Sequence, residues 1–543
     1  MVKNMDKKTM IIVGVVALIV IVVAAFALMG GSSDSDPTHL TVAAHSNIKE
    51  PEAGFSPLVG WGCGHQNYNP LVQSCLFKTD KNGSIVPDLA TDYSISADGK
   101  TWTVHVRDDV KFSDNSTFDA EDVAFTFNTA KDTETELDLT NIENVTAKDN
   151  KTVEFNLVEP RSTFIYDLRY VGIVPSDSYN NETYGSEPIG TGPYVLDHWD
   201  KGQQAIFKIN DNYYDKKPYF TQLTILFPEE STWLELAKSG QVDVVPVATS
   251  ALNQTVDGYQ FVEKSAGRAQ GVSFPYLPDN GDSWNGTYKI GNNVTSDKAI
   301  REALNVGIDR QKMCDEVFAG HATPEYTSVD TRDYANDNAK VKDADVEGAK
   351  QILKEGGWTD TDGDGIVEKD GVKASFDLYY PPDYLDRQSL STVFAEQAKD
   401  IGIEVNLVGA DWDTIYANMY SSAALMQQTS PDPYKSIYQQ YHSKEADGFY
   451  MNPGLYNNTD SDKLMDDAMH SSDLNAANAL WSESALVNGG GWGPAGDAPF
   501  AWLVNYDYNY FIKDGIDIGE QPDGLGNDIL INICDWTRTN STA

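Results

Sequence analysis

The chain has 543 residues, of which 41% are hydrophobic and 22% are charged. This length suffices for about two to four domains, and the composition is that of an ordinary globular protein. The formal net charge of −42 at pH 7 repels nucleic acid and anionic lipid, so it argues against polynucleotides and phosphate-rich surfaces as partners. Such a charge suits an extracellular or salty setting, and a cation-attracting function is the alternative.

An apolar run from Met10 to Met29 follows the lysines Lys3, Lys7 and Lys8. A signal-peptide core has about 7–15 apolar residues and a membrane-spanning helix about 20, so this run lies at the anchor end of the range. The segment Ala25–Ala27 would serve as the cleavage site of a signal peptide. The positive flank puts the N-terminus in the cytoplasm and the rest of the chain outside.

The four cysteines are Cys63, Cys75, Cys314 and Cys534. Cys63 and Cys75 are close enough in sequence to form a disulfide, but pairing cannot be derived from spacing alone. Buried free thiols are the alternative. The chain has no Cys-x-x-Cys motif, so a zinc ribbon or a thioredoxin-type site is not supported.

Between Pro87 and Thr129 the sequence predicts two strands followed by a helix. Polar and apolar residues alternate from Thr101 to Arg107, which is the period of a half-buried strand. Asp98-Gly99 predicts a tight turn before this strand. The acidic segment 117–123 opens the helix, because carboxylates are favoured in the first turn.

The same stretch resembles the signature of the family 5 extracellular solute-binding proteins, the peptide- and nickel-capturing subunits of ABC importers. The resemblance rests on runs in the family's order: PDLA from Pro87, DGKTW from Asp98, VRD from Val106, VKFSD from Val110 and AEDV from Ala120. Later segments keep that order, including GTGPY from Gly190. The resemblance implies an α/β, two-lobed periplasmic-binding-protein type II fold, with an extra β-rich accessory domain in the first lobe.

The predicted division of the chain follows from this resemblance. It comprises an N-terminal membrane anchor or signal segment with a tether (1–38), the first part of the first lobe (39–60), the accessory domain (61–185), the second part of the first lobe (186–272), the second lobe (273–498) and a C-terminal return to the first lobe (499–543). The strands near Val272–Tyr276 and Phe500–Phe511 should form the hinge between the lobes.

The run from Asp360 to Glu368 matches the start of a calcium loop. Asp360, Asp362 and Asp364 supply oxygens at positions 1, 3 and 5, and Glu368 stands at position 9. The closing glutamate is missing, because Gly371 occupies its position. Two interpretations stay open, a structural calcium site on these four carboxylates and an Asp/Gly-rich turn.

The clearest βαβ unit consists of the strand Phe376–Tyr380, the helix Asp386–Lys399 and the strand Glu404–Val408. A crossover helix implies parallel strands, and ligands bind beyond the carboxyl ends of parallel strands. The predicted ligand edge is therefore the loop Tyr380–Tyr384.

Aromatic and polar residues should line the lips of the cleft. The candidate ligand-binding residues are Trp61, His65 and Tyr68 on the first lobe, and Tyr380, Trp412, Asp432, Tyr434 and His442 on the second. In peptide-binding members of the resembled family, an acidic residue in such an Asp-Pro stretch holds the ligand's α-ammonium, and Asp432 is the matching position. The alternative for Asp432 is a turn cap between two prolines.

Nickel-type members use a histidine to reach a nickel ion that a small chelator already holds, and His442 lies in a comparable place. A lone histidine is more often structural, although imidazole suits nickel. The ligand, a small peptide or a nickel chelate, therefore stays open.

The sequence offers no catalytic constellation. It contains neither His-Glu-x-x-His nor Gly-x-Ser-x-Gly. We predict a monomeric, non-enzymatic solute-binding subunit at the outer face of the membrane, anchored or secreted, that delivers its solute to an ABC permease. It needs no cofactor; nickel would be part of the ligand and calcium would be structural. The alternative is a surface sensor or adhesion protein with the same fold.

Overall fold

The computed structural model describes residues 36–45, 50–51, 54–58, 69–133, 139–264, 267–447, 451–522 and 529–539. The strands in chain order are β1 (His39–Ala43), β2 (Phe77–Thr79), β3 (Ile85–Pro87), β4 (Ala90–Ile95), β5 (Thr101–Val106), β6 (Ile142–Asp149), β7 (Thr152–Leu157), β8 (Tyr194–Asp200), β9 (Gln204–Ile209), β10 (Gln222–Leu226), β11 (Val244–Pro246), β12 (Tyr259–Lys264), β13 (Ala269–Ser273), β14 (Ser283–Trp284), β15 (Tyr288–Lys289), β16 (Ala322–Pro324), β17 (Glu368–Lys369), β18 (Val372–Lys373), β19 (Ser375–Tyr380), β20 (Glu404–Gly409), β21 (Ala423–Gln428), β22 (Phe500–Tyr506), β23 (Tyr508–Lys513), β24 (Ile516–Asp517) and β25 (Thr537–Arg538). The helices are α1 (Asn69–Val72), α2 (Ala120–Lys131), α3 (Phe164–Tyr170), α4 (Trp233–Ser239), α5 (Lys298–Gly307), α6 (Arg310–Phe318), α7 (Val346–Glu355), α8 (Leu385–Asp400), α9 (Trp412–Asn418), α10 (Gln439–Tyr441), α11 (Thr459–Met469) and α12 (Leu474–Ser484).

The first lobe is built on a seven-stranded sheet with the order β12-β23-β11-β1-β10-β9-β8. Strand β1 lies between β11 and β10 and is parallel to both. Its residues Leu40, Val42 and Ala43 are buried, as expected for a central strand covered on both faces. The carboxyl ends of these three strands therefore point to one edge of the sheet.

The second lobe is built on a six-stranded sheet with the order β16-β22-β13-β21-β19-β20. The predicted βαβ unit is confirmed: β19 and β20 are parallel and joined by α8. Leu390, Phe394 and Ala398 of α8 are fully buried, which is the inward face that the helical spacing predicts. Strand β21 is also parallel to β19, so the carboxyl ends of β19 and β21 lie at the same edge.

The accessory domain contains the predicted strand-turn-strand unit. Strands β4, β5, β7 and β6 form an antiparallel four-stranded sheet. Helix α2 follows β5, and Asp119 caps it in a capping box with Asp122. Trp102, Val104 and Phe155 belong to the buried core of this domain.

The chain crosses between the two lobes twice. It leaves the first-lobe sheet after Lys264 and enters the second-lobe sheet at Ala269, and it returns between Tyr506 and Tyr508. The predicted boundaries at 272/273 and 498/499 need correction, because β13 and β22 pair with each other and with other second-lobe strands. The two crossings, rather than Val272–Tyr276, are the hinge segments.

The two lobes pack against each other in this structure. One cluster of buried apolar side chains includes Trp233 and Phe511 from the first lobe and Phe318 and Tyr506 from the second. Phe318 and Tyr506 stack with their ring centroids 4.5 Å apart. Much of the interface near the hinge is therefore apolar.

Two sequence predictions concern the N-terminus and the cysteines. The apolar run 10–29 lies outside the described residues, and no described helix is long and apolar enough to cross a membrane. Cys75 and Cys314 are buried free thiols, and Cys534 is a half-buried one. Burial raises the pKa of Cys314 to about 12, so this thiol stays protonated and unreactive at neutral pH.

Candidate functional site

A cluster of charged and amide side chains lies where the hinge segments meet the carboxyl ends of the second-lobe strands. Arg268 immediately precedes β13, Gln427 lies near the end of β21, and Arg387 is in the first turn of α8. The register pairs Gln270 with Gln427 across β13 and β21. Since β19 and β21 end at the same edge, the loop after β19 brings Arg387 to Gln427. We call Arg268, Gln270, Arg387 and Gln427 the hinge cluster.

The side-chain oxygen of Gln427 is the acceptor at the centre of the hinge cluster. Gln427 Oε1 accepts hydrogen bonds from Arg268 Nε at 3.0 Å, Gln270 Nε2 at 2.7 Å and Arg387 Nη2 at 2.8 Å. Arg268, Gln270 and Arg387 are each at most 6% exposed. The cluster therefore places two buried guanidinium groups on one neutral amide oxygen.

Aromatic rings surround both guanidinium groups. The Arg268 guanidinium carbon lies 4.4 Å from the Tyr506 ring centroid and 5.1 Å from that of Tyr508. The Arg387 guanidinium carbon lies 4.7 Å from the Tyr384 ring centroid and 5.1 Å from that of Trp412. Such cation–π contacts stabilise a desolvated cation by about 2 kcal/mol or less, which is less than a full set of hydrogen bonds would provide.

A cavity at the hinge end lies between the lobes. Its first-lobe lining includes His45, Glu230, Trp233, Tyr508 and Asn509, its second-lobe lining includes Phe318, Tyr384, Asp386 and Tyr506, and Arg268 of the first crossing completes it. Tyr506 donates a hydrogen bond from its hydroxyl to Asp386 Oδ2 at 2.6 Å. Both lobes thus contribute polar and aromatic groups to one partly open space.

The titratable groups from the first lobe carry less charge in this cavity than they would in water. Burial, assisted by the nearby Arg268 charge, lowers the pKa of His45 to about 3. Burial and the Asp386 charge raise the pKa of Glu230 above its ordinary value. His45 is therefore neutral at pH 7, and Arg268 supplies the fixed positive charge in the lining of the cavity.

A second charged contact joins the accessory domain to the second lobe. Arg161 Nη1 lies 3.2 Å from Asp167 Oδ2, and Arg161 Nη2 lies 3.6 Å from Asp432 Oδ2. Both pairs are at most 5% exposed at their side chains. Ser162 donates its N–H to the carbonyl of Met469 and its hydroxyl to that of Ala468, each at 2.8 Å. We call this contact the accessory latch.

Asp432 lies at the second-lobe side of the accessory latch. Its Oδ1 accepts the N–H of Tyr434 at 2.9 Å, which is the turn-capping role considered above as the alternative. Its Oδ2 faces the Arg161 guanidinium, and this group also lies 4.2 Å from the Tyr434 ring centroid. Burial raises the pKa of Asp432, and the Arg161 charge opposes that shift. A ligand ammonium at Asp432 would have to compete with Arg161.

His442 is buried beside α11. Its ring stacks on that of Tyr438 with a centroid distance of 4.2 Å. Nδ1 accepts the N–H of Lys444 at 3.0 Å, and Nε2 lies 3.2 Å from Asp466 Oδ1. Both ring nitrogens therefore already face protein groups, and the role of His442 as a nickel contact stays a prediction.

The other predicted ligand-binding residues are distributed around the interlobe region or lie outside the described residues. Trp61, His65 and Tyr68 belong to the undescribed part of the chain. Tyr380 is 8% exposed and packs in the apolar core. Trp412 lies at the hinge cluster and stacks on Tyr416 with a centroid distance of 5.3 Å. The structure thus places Trp412 at the hinge cluster and Asp432 with Tyr434 at the accessory latch.

The four carboxylates of the candidate calcium loop come together as the motif predicts. Asp360, Asp362, Asp364 and Glu368 each place an oxygen within 4.8 Å of the others. The same groups also accept protein hydrogen bonds: Asp360 from Gly363 N and Gly365 N, and Glu368 from Thr361 N. Lys373 pairs with Asp364. Both the calcium site and the turn are compatible with this geometry, so calcium stays a prediction.

Sequence reasoning did not single out Arg161, Arg268 or Arg387. The signal for Arg387 was its place in the first turn of the predicted helix, next to the predicted ligand edge Tyr380–Tyr384. Arg268 and Arg161 had no comparable signal, because their partners come from distant parts of the chain.

Comparisons with known proteins agree with this architecture. The family described as bacterial extracellular solute-binding proteins, family 5 middle, matches residues 84–448. The oligopeptide-binding protein AppA of Bacillus subtilis is 28% identical over 451 residues, covering 79% of this chain and 80% of AppA. The nickel-binding periplasmic protein of Escherichia coli is 30% identical over 366 residues, covering 64% of this chain and 67% of that protein.

Solved structures share the fold. NikZ of Campylobacter jejuni, crystallised with Ni(L-His), matches with a TM-score of 0.72 and 21% identity, covering 93% of this chain and 100% of NikZ. The predicted two-lobed type II periplasmic-binding-protein fold is confirmed. These relatives are named as binding proteins, and the lack of an enzyme activity stays a prediction for this chain. The match over residues 84–448 shows that the chain belongs to the family 5 bacterial extracellular solute-binding proteins.

Proposed function

We propose that the protein captures a small solute between its two lobes and delivers it to the membrane permease of an ABC importer. The observation that carries this proposal is the cavity that both lobes line at the hinge end. It lies at the edge where the parallel strands of each sheet end, which is the usual ligand position in α/β sheets.

Closure about the two crossing segments is the proposed capture mechanism. A solute in this cavity would touch groups from both lobes, so it would bind the closed arrangement more tightly than an open one. Such a differential affinity shifts the population toward the closed state. The permease would then recognise the closed protein.

The proposed solute is a small peptide or a metal chelate. The relatives named for oligopeptide and for nickel support the two classes about equally by identity, at 28% and 30%. Nickel would arrive as part of the ligand. For His442 to reach it, the ring would have to turn away from Lys444 N or from Asp466.

The proposed setting is the outer face of the cell membrane, with the protein acting as a monomer. The positively flanked apolar run 10–29 would hold it there or direct its secretion. The net charge of −42 favours a free surface that does not adsorb to anionic lipid.

Titration calorimetry at matched pH tests the proposal with four probes: trialanine, tetra-alanine, nickel chloride, and nickel with two equivalents of L-histidine. We expect one class to bind with one-to-one stoichiometry, and small-angle scattering to show a more compact protein in its presence. If none of the probes binds and none changes the scattering profile, the proposal fails for these solute classes. A nickel response that persists without L-histidine would contradict capture of a chelate.

A further inference from the structure

Ten Asn-x-Ser/Thr sequences occur in this chain. This motif is the acceptor for N-linked glycans, which are attached to the surfaces of secreted and extracellular proteins. Nine of the ten motifs lie within the described residues, and Asn540 of the tenth does not. The nine asparagines are Asn82, Asn115, Asn144, Asn150, Asn181, Asn253, Asn285, Asn293 and Asn457. A three-residue motif arises easily by chance, so the surroundings of each asparagine decide its meaning.

The nine motif asparagines differ from the other asparagines in their exposure. All nine are exposed. Of the 21 other asparagines whose burial is described, six are exposed and fifteen are half-buried or buried. Asn305 and Asn505, for example, are 0% and 5% exposed. The asparagines that carry the motif are therefore selectively placed at the surface, where a bulky and polar glycan can extend into water.

Turn formation explains only part of this exposure. Asn115 and Asn285 have φ angles of 74° and 50°, and asparagine tolerates this left-handed conformation better than most residues. The other seven described motif asparagines have no positive φ. Asn144 lies within a regular strand, β6. A general preference of asparagine for turns therefore does not account for the whole set.

The hydroxyl residue of the motif is also exposed in seven of the nine cases. The asparagines of these seven motifs are Asn82, Asn115, Asn144, Asn181, Asn253, Asn285 and Asn457. In the motif of Asn150, Thr152 is half-buried. Because the motif is defined by both residues, a glycan-transferring enzyme has to reach both side chains. These seven motifs meet that requirement.

Asn293 is the exception that serves as an internal control. The Thr295 side chain of its motif is fully buried, and the Thr295 hydroxyl donates to the carbonyl of Pro275 at 2.9 Å. The side-chain oxygen of Asn293 accepts the N–H of Asp279 at 3.0 Å. Both side chains of this motif are used within the second lobe, so we expect no glycan there.

The motifs lie apart from the groups assigned to solute capture. None of the nine described asparagines lines the cavity between the lobes or belongs to the hinge cluster or the accessory latch. The five that lie in the predicted accessory domain (61–185) are Asn82, Asn115, Asn144, Asn150 and Asn181. Glycans at these positions would leave the lining of the cavity unchanged.

We propose that the seven motifs with two exposed side chains carry N-linked glycans on the outer face of the membrane. The donor is an oligosaccharide whose C1 atom is linked to a lipid phosphate carrier. The bond between C1 and the carrier oxygen breaks, C1 bonds to the asparagine Nδ2, and Nδ2 loses one proton while the lipid phosphate leaves. The reaction needs no oxidant or reductant. This inference goes beyond solute capture, and it rests on the extracellular setting of the family rather than on the identity of the solute.

Peptide mapping by tandem mass spectrometry tests the inference on the full chain purified from its natural source. The same chain, produced in a host without N-glycosylation, provides the masses of the unmodified peptides. We expect the peptides with the seven motifs to carry added mass that fragments into sugar ions, and the Asn293 peptide to keep its unmodified mass. If every motif peptide keeps its unmodified mass, the inference is wrong. Equal modification of Asn293 would overturn the selection of sites by exposure.

A matched pair of variants, produced in the natural source, tests one site directly. Ser84→Ala removes the motif of Asn82 and keeps the asparagine, whereas Ser84→Thr keeps the motif. The N–H groups of Asn82 and Ser84 donate to Asp80 Oδ1 and hold the turn in both variants. We expect complete loss of the glycan at Asn82 in Ser84→Ala and its retention in Ser84→Thr. A glycan retained in Ser84→Ala, or an unmodified Asn82 in wild type, would contradict the assignment of this site.

The glycan measurements need no ligand. If calorimetry detects no solute, the proposed function fails and the glycans are unaffected. If the motif peptides are unmodified, glycosylation fails and solute capture is unaffected. The two proposals can therefore be refuted separately.

Discussion

The accessory latch and the hinge cluster both bury arginine side chains beside aromatic rings, but only the accessory latch pairs its arginine with carboxylates. At the accessory latch, Arg161 lies between Asp167 and Asp432, with its guanidinium over Tyr434. At the hinge cluster, Arg268 and Arg387 share the oxygen of Gln427. Among the described residues, the guanidinium of the accessory latch forms ion pairs with two carboxylates, whereas neither arginine of the hinge cluster forms one.

This difference implies different roles for the accessory latch and the hinge cluster. The accessory latch joins the accessory domain to the second lobe through Arg161 and Asp432, so in the proposed closure this contact would favour the closed arrangement with or without a ligand. At the hinge cluster, both arginines share one amide oxygen, and Nε and Nη1 of Arg387 are buried without an acceptor among the described residues. Such open donors are costly.

The largest expected effect comes from breaking the accessory latch. Arg161→Met leaves the buried carboxylates of Asp432 and Asp167 without their guanidinium partner. We expect the free energy of unfolding to fall by about 3–5 kcal/mol, the usual cost of breaking a buried ion pair. Chemical denaturation measures this loss.

The control for this prediction is Arg107→Met. Arg107 pairs with Asp109 at 2.8 Å on the surface, where the Asp109 side chain is 62% exposed. An exposed pair of this kind contributes about 1 kcal/mol or less. Equal losses in Arg161→Met and Arg107→Met would show that the accessory latch is no stronger than a surface pair.

A smaller effect is expected from pH at the hinge end. Because the folded pKa of His45 is lowered to about 3 from 6.5, the unfolded chain binds a proton there at a pH where the folded protein does not. The stability associated with neutral His45 is present above pH 6.5 and is lost as the pH falls toward 3. The loss approaches about 1.4 kcal/mol per pH unit within that window.

Denaturation of wild type and His45→Gln between pH 7.5 and pH 4 isolates this contribution. Buried carboxyl groups such as Glu325 have raised pKa values and act with the opposite sign in both proteins, so only the difference between the two is informative. As the pH falls, the free energy of unfolding of wild type should decrease relative to that of His45→Gln. A difference independent of pH would mean that His45 is not desolvated at the hinge end.

The smallest effect concerns the acidic loop 360–368, which is largely exposed. If calcium binds there with a Kd of about 0.1–1 mM, as in extracellular modules, 1 mM calcium should stabilise the protein by about 0.4–1.4 kcal/mol. Thermal unfolding with calcium and with a chelator measures this. Magnesium is the control, since it dehydrates reluctantly, and an identical response to both ions would indicate general charge screening.

Local patterns predicted the second-lobe βαβ unit well, because strand alternation, helical spacing and the loop Tyr380–Tyr384 all agree there. The position of the hinge was harder to predict from local patterns. The run Phe500–Phe511 is mostly apolar and aromatic, and its polar residues Asn505, Asp507 and Asn509 do not by themselves show that the chain changes sheet partners at Asp507. Register with β13 and β12, which is a tertiary property, fixes the crossing.

The candidate site was predictable only in part, because tertiary contacts rather than local patterns bring its residues together. Trp412 was expected near the ligand as an aromatic residue at the lips of the cleft, and Asp432 because its Asp-Pro stretch resembles that of the peptide-binding members of the family. The partners that define their surroundings come from elsewhere: Arg161 from the accessory domain and Arg268 from the first crossing. No periodicity or motif at Arg161 predicts its contact with Asp432, so the resemblance suggested a ligand ammonium as the partner of that carboxylate, with a turn cap as the alternative.

The double crossing at the hinge has a consequence for how this protein could change its specificity. Lys264 pairs with Tyr508 in the first-lobe sheet, and Ala269 pairs with Asn505 in the second-lobe sheet. The second lobe therefore enters and leaves at adjacent points, as an inserted domain does. Residues 269–506 form a cassette that could be exchanged for that of a relative through two neighbouring junctions. Such an exchange would replace Gln427 and Arg387 together while keeping Arg268, His45 and Glu230 of the recipient.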